Sequence, residues 1–160
     1  MLAHKLVLDD VVDQPFKLIA LHCSVEEYKL AYLLNKHLKL RLARARNDID
    51  FYIDSMRALF ALYTYYDKAN YNGFYLVSNV FRGELDSSAQ AGSLFSGEEG
   101  SYKRTFLLPE FSKVDYLFKI ESDSLSEKLL LARINEIPQI ATAYCIDDHQ
   151  IKSKENLIFD

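Results

Sequence analysis

Glycine and proline are scarce in this chain and tryptophan is absent: five Gly, three Pro and no Trp in 160 residues. That scarcity excludes collagen-like and low-complexity chains. Four of the five glycines lie within residues 83–100, and no glycine-rich phosphate loop follows a strand anywhere. Only two cysteines occur, Cys23 and Cys145, far apart and without the CxxC spacing of a metal site. A reducing cytoplasm is the compartment they imply, and no segment resembles a secretory signal. An excess of basic charge is missing too: 19 Lys and Arg stand against 23 Asp and Glu, a net charge of −4. Such a balance argues against a protein that coats nucleic acid or an anionic membrane. The apolar runs, 58–63 among the longest, fall far short of the roughly 20 residues of a membrane helix.

What the chain does contain is the composition of one ordinary α+β domain over residues 1–160, 49% hydrophobic and 13% aromatic. After an opening strand at about 5–8, the apolar run 16–23 predicts a buried strand. Ser24 and Glu27 then form a capping box for a helix whose Leu30, Leu33, Leu34 and Leu38 recur at helical spacing. Residues 40–46 change to a period near two, a strand. The same order returns at 114–120, a strand. A second capping box at Ser124 and Glu127 opens a helix that runs to about Glu136 before Pro138, and a strand follows at 140–146. Asn35 with Asn135 and Ala43 with Ala143 are among the few identities between the two units. Between them, 58–66 and 74–81 predict a hairpin around the polar turn 67–73. Residues 83–103 read as a flexible loop, with 104–108 pairing briefly with the sheet. The expected architecture is a ferredoxin-like, split-βαβ arrangement: a mainly antiparallel sheet, two helices on one face and an inserted β-hairpin.

Leu108, Pro109, Glu110, Val114, Asp115 and Tyr116 form a stretch that resembles the signature of the IPExxVDY family of Bacteroidetes. Leu108 stands where that name has Ile, and three residues separate Glu110 from Val114 where it has two. The segments 28–36, 76–79, 140–144 and 152–159 are similar to the family as well, so the resemblance covers most of the chain. It implies a small cytoplasmic bacterial protein, with no assigned activity and no catalytic role to carry over.

No constellation of side chains declares a reaction. His22 and Cys23 are adjacent, and neighbours in a strand point to opposite faces, so they do not read as a base and nucleophile. His4, His22, His37 and His149 lack metal-ligand spacing. Asp147, Asp148 and His149 read as a polar strand end rather than a metal site. Glu110 and Asp115 are the acids suited to proton transfer, although acceptance of backbone hydrogen bonds is the stronger reading of both. Lys36, Lys39, Arg41, Arg44 and Arg46 form the densest basic segment. With Tyr63, Tyr65, Phe74 and Tyr75 as stacking platforms they would suit RNA or a small anion. The competing reading, charges guarding an edge strand and aromatics filling a core, is preferred at this net charge.

The chain therefore reads as a non-enzymatic binding or protein-interaction module with no cofactor, no metal and no membrane association. A homodimer joined through an aromatic sheet face or an edge strand is the expected assembly, since Tyr and Phe on strands make productive interfaces. An unknown protein partner comes next, and RNA is disfavoured.

Overall fold

A computed structural model describes residues 15–53, 55–84 and 102–159. The strand expected at 5–8 and the 85–101 part of the expected loop lie outside the described residues.

β1 (Phe16–Cys23) and β9 (Tyr116–Glu121) form the middle of the fold. Leu18, Ile19, Ala20 and Leu21 are all buried, as are all residues from Tyr116 to Ile120. Strands buried on both faces read as continuous apolar runs, which is why alternation is weak in both. Around them β10 (Ile140–Ile146), β6 (Asn72–Ser78), β5 (Leu62–Asp67) and β2 (Ala43–Arg44) complete a six-stranded sheet. Its order is β10-β1-β9-β6-β5-β2 and every neighbouring pair is antiparallel. Helices α1 (Glu27–Leu38) and α2 (Glu127–Asn135) cover one face, packing Leu30, Leu34, Leu130 and Ile134 onto Ile19, Leu21, Phe74 and Phe118.

The second face is covered as well, by two ribbons: β3 (Ile49–Ile53) with β4 (Met56–Phe60), and β7 (Val80–Glu84) with β8 (Tyr102–Phe106). Phe60, Leu107, Leu108, Ile151 and Leu157 close over Leu18, Ala20, Val77 and Leu117. The chain is thus mixed α+β with two helices and an antiparallel sheet, as the sequence implies.

Four boundaries differ from expectation. Residues 58–66 break at Ala61 into β4 and β5, and residues 74–81 break at Asn79 into β6 and β7. At Ala61 the chain passes from one ribbon into the main sheet, and at Asn79 it leaves the main sheet for the other ribbon. The expected 67–73 turn does join β5 to β6, but both belong to the main sheet. The strand expected at 40–46 shrinks to β2. The ends of the expected 83–103 loop are paired strand, Gly83 facing Lys103, and β8 pairs with β7 rather than with the main sheet.

Neither predicted capping box forms where the sequence placed it. α1 has Glu26 at its N-cap with no side-chain hydrogen bond, and α2 is capped by Ser126, whose Oγ accepts from Leu129 N at 3.4 Å. Val25 and Leu125 pack against the helix-face core, and Tyr116 Oη donates to Val25 O at 2.7 Å. Burying these residues keeps the chain extended two positions further than the local hydroxyl pattern asks.

The repeated asparagines have a shared role. Asn35 Nδ2 donates to Leu42 O (3.0 Å) while Leu42 N donates to Asn35 Oδ1 (2.7 Å). Asn135 does the same to Ala143, at 3.1 and 3.0 Å. Each helix end therefore holds both polar groups of one residue beyond it, replacing ladder bonds that the local geometry does not supply.

Candidate functional site

The signature stretch is a hydrogen-bonded knot where β6, β9 and the C-terminal segment meet. Pro109 opens the short 3-10 turn Pro109–Phe111, and Leu108 and Val114 are buried on either side. At its centre sits Asn79, fully buried. Its Nδ2 donates to Phe111 O and Val114 O, both at 2.9 Å, and its Oδ1 accepts from Leu108 N at 2.8 Å. Its own backbone joins Asp115 O and Leu107 N.

Glu110 reaches outward and accepts from Lys152 N (2.9 Å), Ser153 N (2.8 Å) and Ser153 Oγ (3.1 Å). Burial pushes its carboxyl up, but these donors and its own backbone amide outweigh that and hold it below the usual range. A lowered pKa and full hydrogen bonding suit a structural anion, not a proton shuttle. Asp115 Oδ2 accepts from Cys23 N at 3.0 Å. Tyr116 is buried with its hydroxyl held by Val25 O, and burial raises its pKa.

A second fixed point lies on the same side of the sheet. Lys119, 8% exposed, donates to Leu157 O at 2.9 Å and pairs with Glu121 at 3.0 Å. The rings of Phe16, Phe159 and Tyr75 surround its ammonium at 4.9 to 5.5 Å. A buried cation needs such partners, and here they dock the C-terminal segment.

Beside the knot opens a cleft of about 680 Å³. The ends of β1, β6 and β9, the start of α1 and one face of the β7–β8 ribbon bound it. Asp115 and Tyr116 line it with His22, Cys23, Glu26, Glu27, Arg82 and Arg104. His22 and Cys23 both line this cleft. His22 stacks on Tyr144 at 5.5 Å and its Nε2 meets Tyr144 Oη at 3.0 Å. The Cys23 thiol is pushed up to about 11, chiefly by burial, so it stays protonated at neutral pH. Cys145 is likewise pushed up to about 11 by burial and then by Glu127.

The basic segment lies elsewhere and does not converge. Lys36 is in the last turn of α1, Lys39 is its left-handed C-cap residue with φ 56°, and Arg41 is exposed. Arg44 is engaged by Asp48 at 2.6 Å and Glu27 at 3.9 Å, and its guanidinium lies over the Tyr63 ring at 5.5 Å. Arg46 shares a hollow with Asp48, Asp50 and Arg57. Tyr63 and Phe74 are buried, and Phe74 is stacked between Tyr65 and Phe118. Tyr63 and Phe74 fill the core and offer no face to a base, while Tyr65 and Tyr75 are half-buried.

Among the described residues no three His, Cys, Asp or Glu side chains converge on a metal position. Asp148 and His149 lie in a short 3-10 turn, with Asp148 bound to Lys154 at 2.6 Å. No described helix is long and apolar enough to cross a membrane.

Sequence reasoning missed Asn79, Lys119, Arg82 and Arg104. Asn79 carried a signal, an amide residue interrupting the alternation of 74–81. The two arginines carried none, because their juxtaposition depends on the register of a ribbon joined through residues 85–101.

Comparison with protein-family models, with curated proteins and with solved structures finds no match at a significant level.

Proposed function

We infer that this protein is a non-enzymatic interaction module that pairs with a second copy of itself through the outer edge of β10. The observation that carries this reading is the contrast between the two edges of the main sheet. The β2 edge is two residues long and flanked by Arg41, Arg44 and Arg46. β10 is seven residues long, contains neither charge nor proline, and has no strand on its outer side among the described residues. Long uncharged edges invite pairing, and proteins that stay monomeric guard them with charges, proline or very short strands. The register shift against β1 is confined to the Cys23–Ile140 end. Centred on Ala143, antiparallel self-pairing sets Ile140 against Ile146 and Thr142 against Tyr144, with no like charges opposed, and exchanges the two bonds that Asn135 makes to the outward Ala143 N and O for bonds to the second copy. Such a contact is isologous and closes as a dimer.

A ferredoxin-like core fits the same reading. Its support is the order β10-β1-β9-β6, with a helix following β1 and another following β9. The two free thiols suit a reducing, cytoplasmic setting, and the resemblance to the IPExxVDY family suits a bacterial protein. The basic 36–46 segment is a weaker candidate for RNA, since Arg44 is paired with Asp48 and Tyr63 and Phe74 are buried.

Light scattering across a concentration series tests the pairing. The native chain should show twice the 18.5 kDa of one chain, and T142K/Y144K should show one, with unchanged far-UV circular dichroism. A native chain that stays monomeric at every concentration refutes the reading.

A further inference from the structure

The cleft beside the knot holds a charge arrangement that pairing through β10 does not use. In the register of the β7–β8 ribbon Arg82 and Arg104 stand directly opposite each other, and both line the cleft. Like charges directly opposed across two strands weaken the pair. Neither guanidinium has an ion pair or hydrogen bond to another described residue.

Two of the three acids of the cleft are engaged. Asp115 accepts from the Cys23 amide, and Glu27 faces Arg44 at 3.9 Å. So Asp115 and Glu27 have partners, whereas the two arginines have none among the described residues. The same wall carries the start of α1, whose N-cap lacks a side-chain acceptor and whose dipole adds positive potential.

We propose that this cleft binds a phosphorylated sugar or polyol, with Arg82 and Arg104 holding the phosphoryl oxygens. Guanidinium forks match the spacing of phosphate oxygens, and two of them neutralise a dianion. The cavity exceeds what a lone oxyanion fills and lies within the range of small-molecule sites, roughly 300 to 1,000 Å³. Its lining also includes Ser24 and Gln139, whose hydroxyl and amide groups pair with sugar hydroxyls. It offers no free ring to stack a nucleobase, since Tyr116 is buried and His22 is already stacked on Tyr144. A sugar phosphate therefore fits better than a nucleotide. The opposed arginines then have a cause: the ribbon tolerates their repulsion until an anion removes it.

The test is thermal unfolding and calorimetry of the full chain at constant ionic strength. The probes are inorganic phosphate, glucose phosphate, glucose and adenosine monophosphate. Glucose phosphate should raise the melting temperature and bind roughly tenfold or more tightly than inorganic phosphate. Glucose alone should do nothing. R82Q and R104Q should each weaken binding by about tenfold or more, while the ligand-free melting temperature of each rises because the repulsion is gone. That rise also shows that the variants fold. Absence of a glucose phosphate effect on the native chain, or an equal effect on R82Q/R104Q, overturns the proposal. So does a fall in the ligand-free melting temperature of R82Q, which would mean that the arginines serve the fold. Tighter binding of adenosine monophosphate overturns the assigned ligand class.

Discussion

Replacing Asn79 should cost more stability than any other single polar substitution in the described chain. Its side chain is fully buried and makes three hydrogen bonds, to Leu108 N, Phe111 O and Val114 O. In Asn79→Ala, Phe111 O keeps its bond from Val114 N, but Leu108 N and Val114 O lose the partner that Asn79 supplied. Each buried polar group left unpaired costs roughly 1 to 3 kcal/mol, so the expected loss is about 4 kcal/mol. A domain has only about 5 to 15 kcal/mol to lose. At about 2 to 4 °C per kcal/mol for a chain of this size, the melting temperature should fall by about 8 to 16 °C. Urea unfolding measures it directly: the midpoint should fall with the slope unchanged. Asn79→Leu separates the causes, because it fills the same space without a hydrogen bond and should be nearly as damaging. A loss below about 1 kcal/mol in Asn79→Ala, or recovery in Asn79→Leu, would show that packing rather than hydrogen bonding holds the knot.

Three further outcomes follow from the same geometry. Glu110 has a lowered folded pKa, so its contribution is present above its unfolded pKa of about 4.3 and is lost as pH falls through the folded value. Glu110→Gln should therefore flatten the acid limb of the stability–pH curve, and an unchanged limb would assign the acid sensitivity elsewhere. Ser126→Ala should cost about 1 kcal/mol through loss of the α2 cap, whereas Ser24→Ala should be nearly neutral; a reversed order in urea titrations would put the helix starts back at the sequence-predicted boxes. Asn35→Ala and Asn135→Ala should each cost about 1 to 3 kcal/mol, because each strands a buried N–H and C=O pair. Hydrogen exchange should quicken at Leu42 in the first and at Ala143 in the second, and unaltered exchange would refute the shared clamp.

Much of this was legible in the residues. The helices sit where leucine spacing places them, and the strand-helix-strand order recurs as read. Asn35 and Asn135, among the few identities between the two units, perform the same task at the end of each helix. The acids of the signature stretch accept backbone hydrogen bonds, as their composition indicated. Helix periodicity and paired motifs are local properties, so a single chain displays them.

What the residues in order could not display was where a strand changes sheet. Strand-forming residues continue on both sides of Ala61 and Asn79, because a ribbon and the main sheet ask for the same residue types. The caps moved two residues because the burial of Val25 and Leu125 outweighs one hydroxyl-to-amide bond. The opposition of Arg82 and Arg104 and the strand-free outer edge of β10 exist only once strands have chosen partners. Sequence by itself determined the elements and their apolar faces, since both follow from neighbours along the chain. Tertiary structure alone decided the register, the edges and the cleft, since each rests on residues that meet only across the sheet.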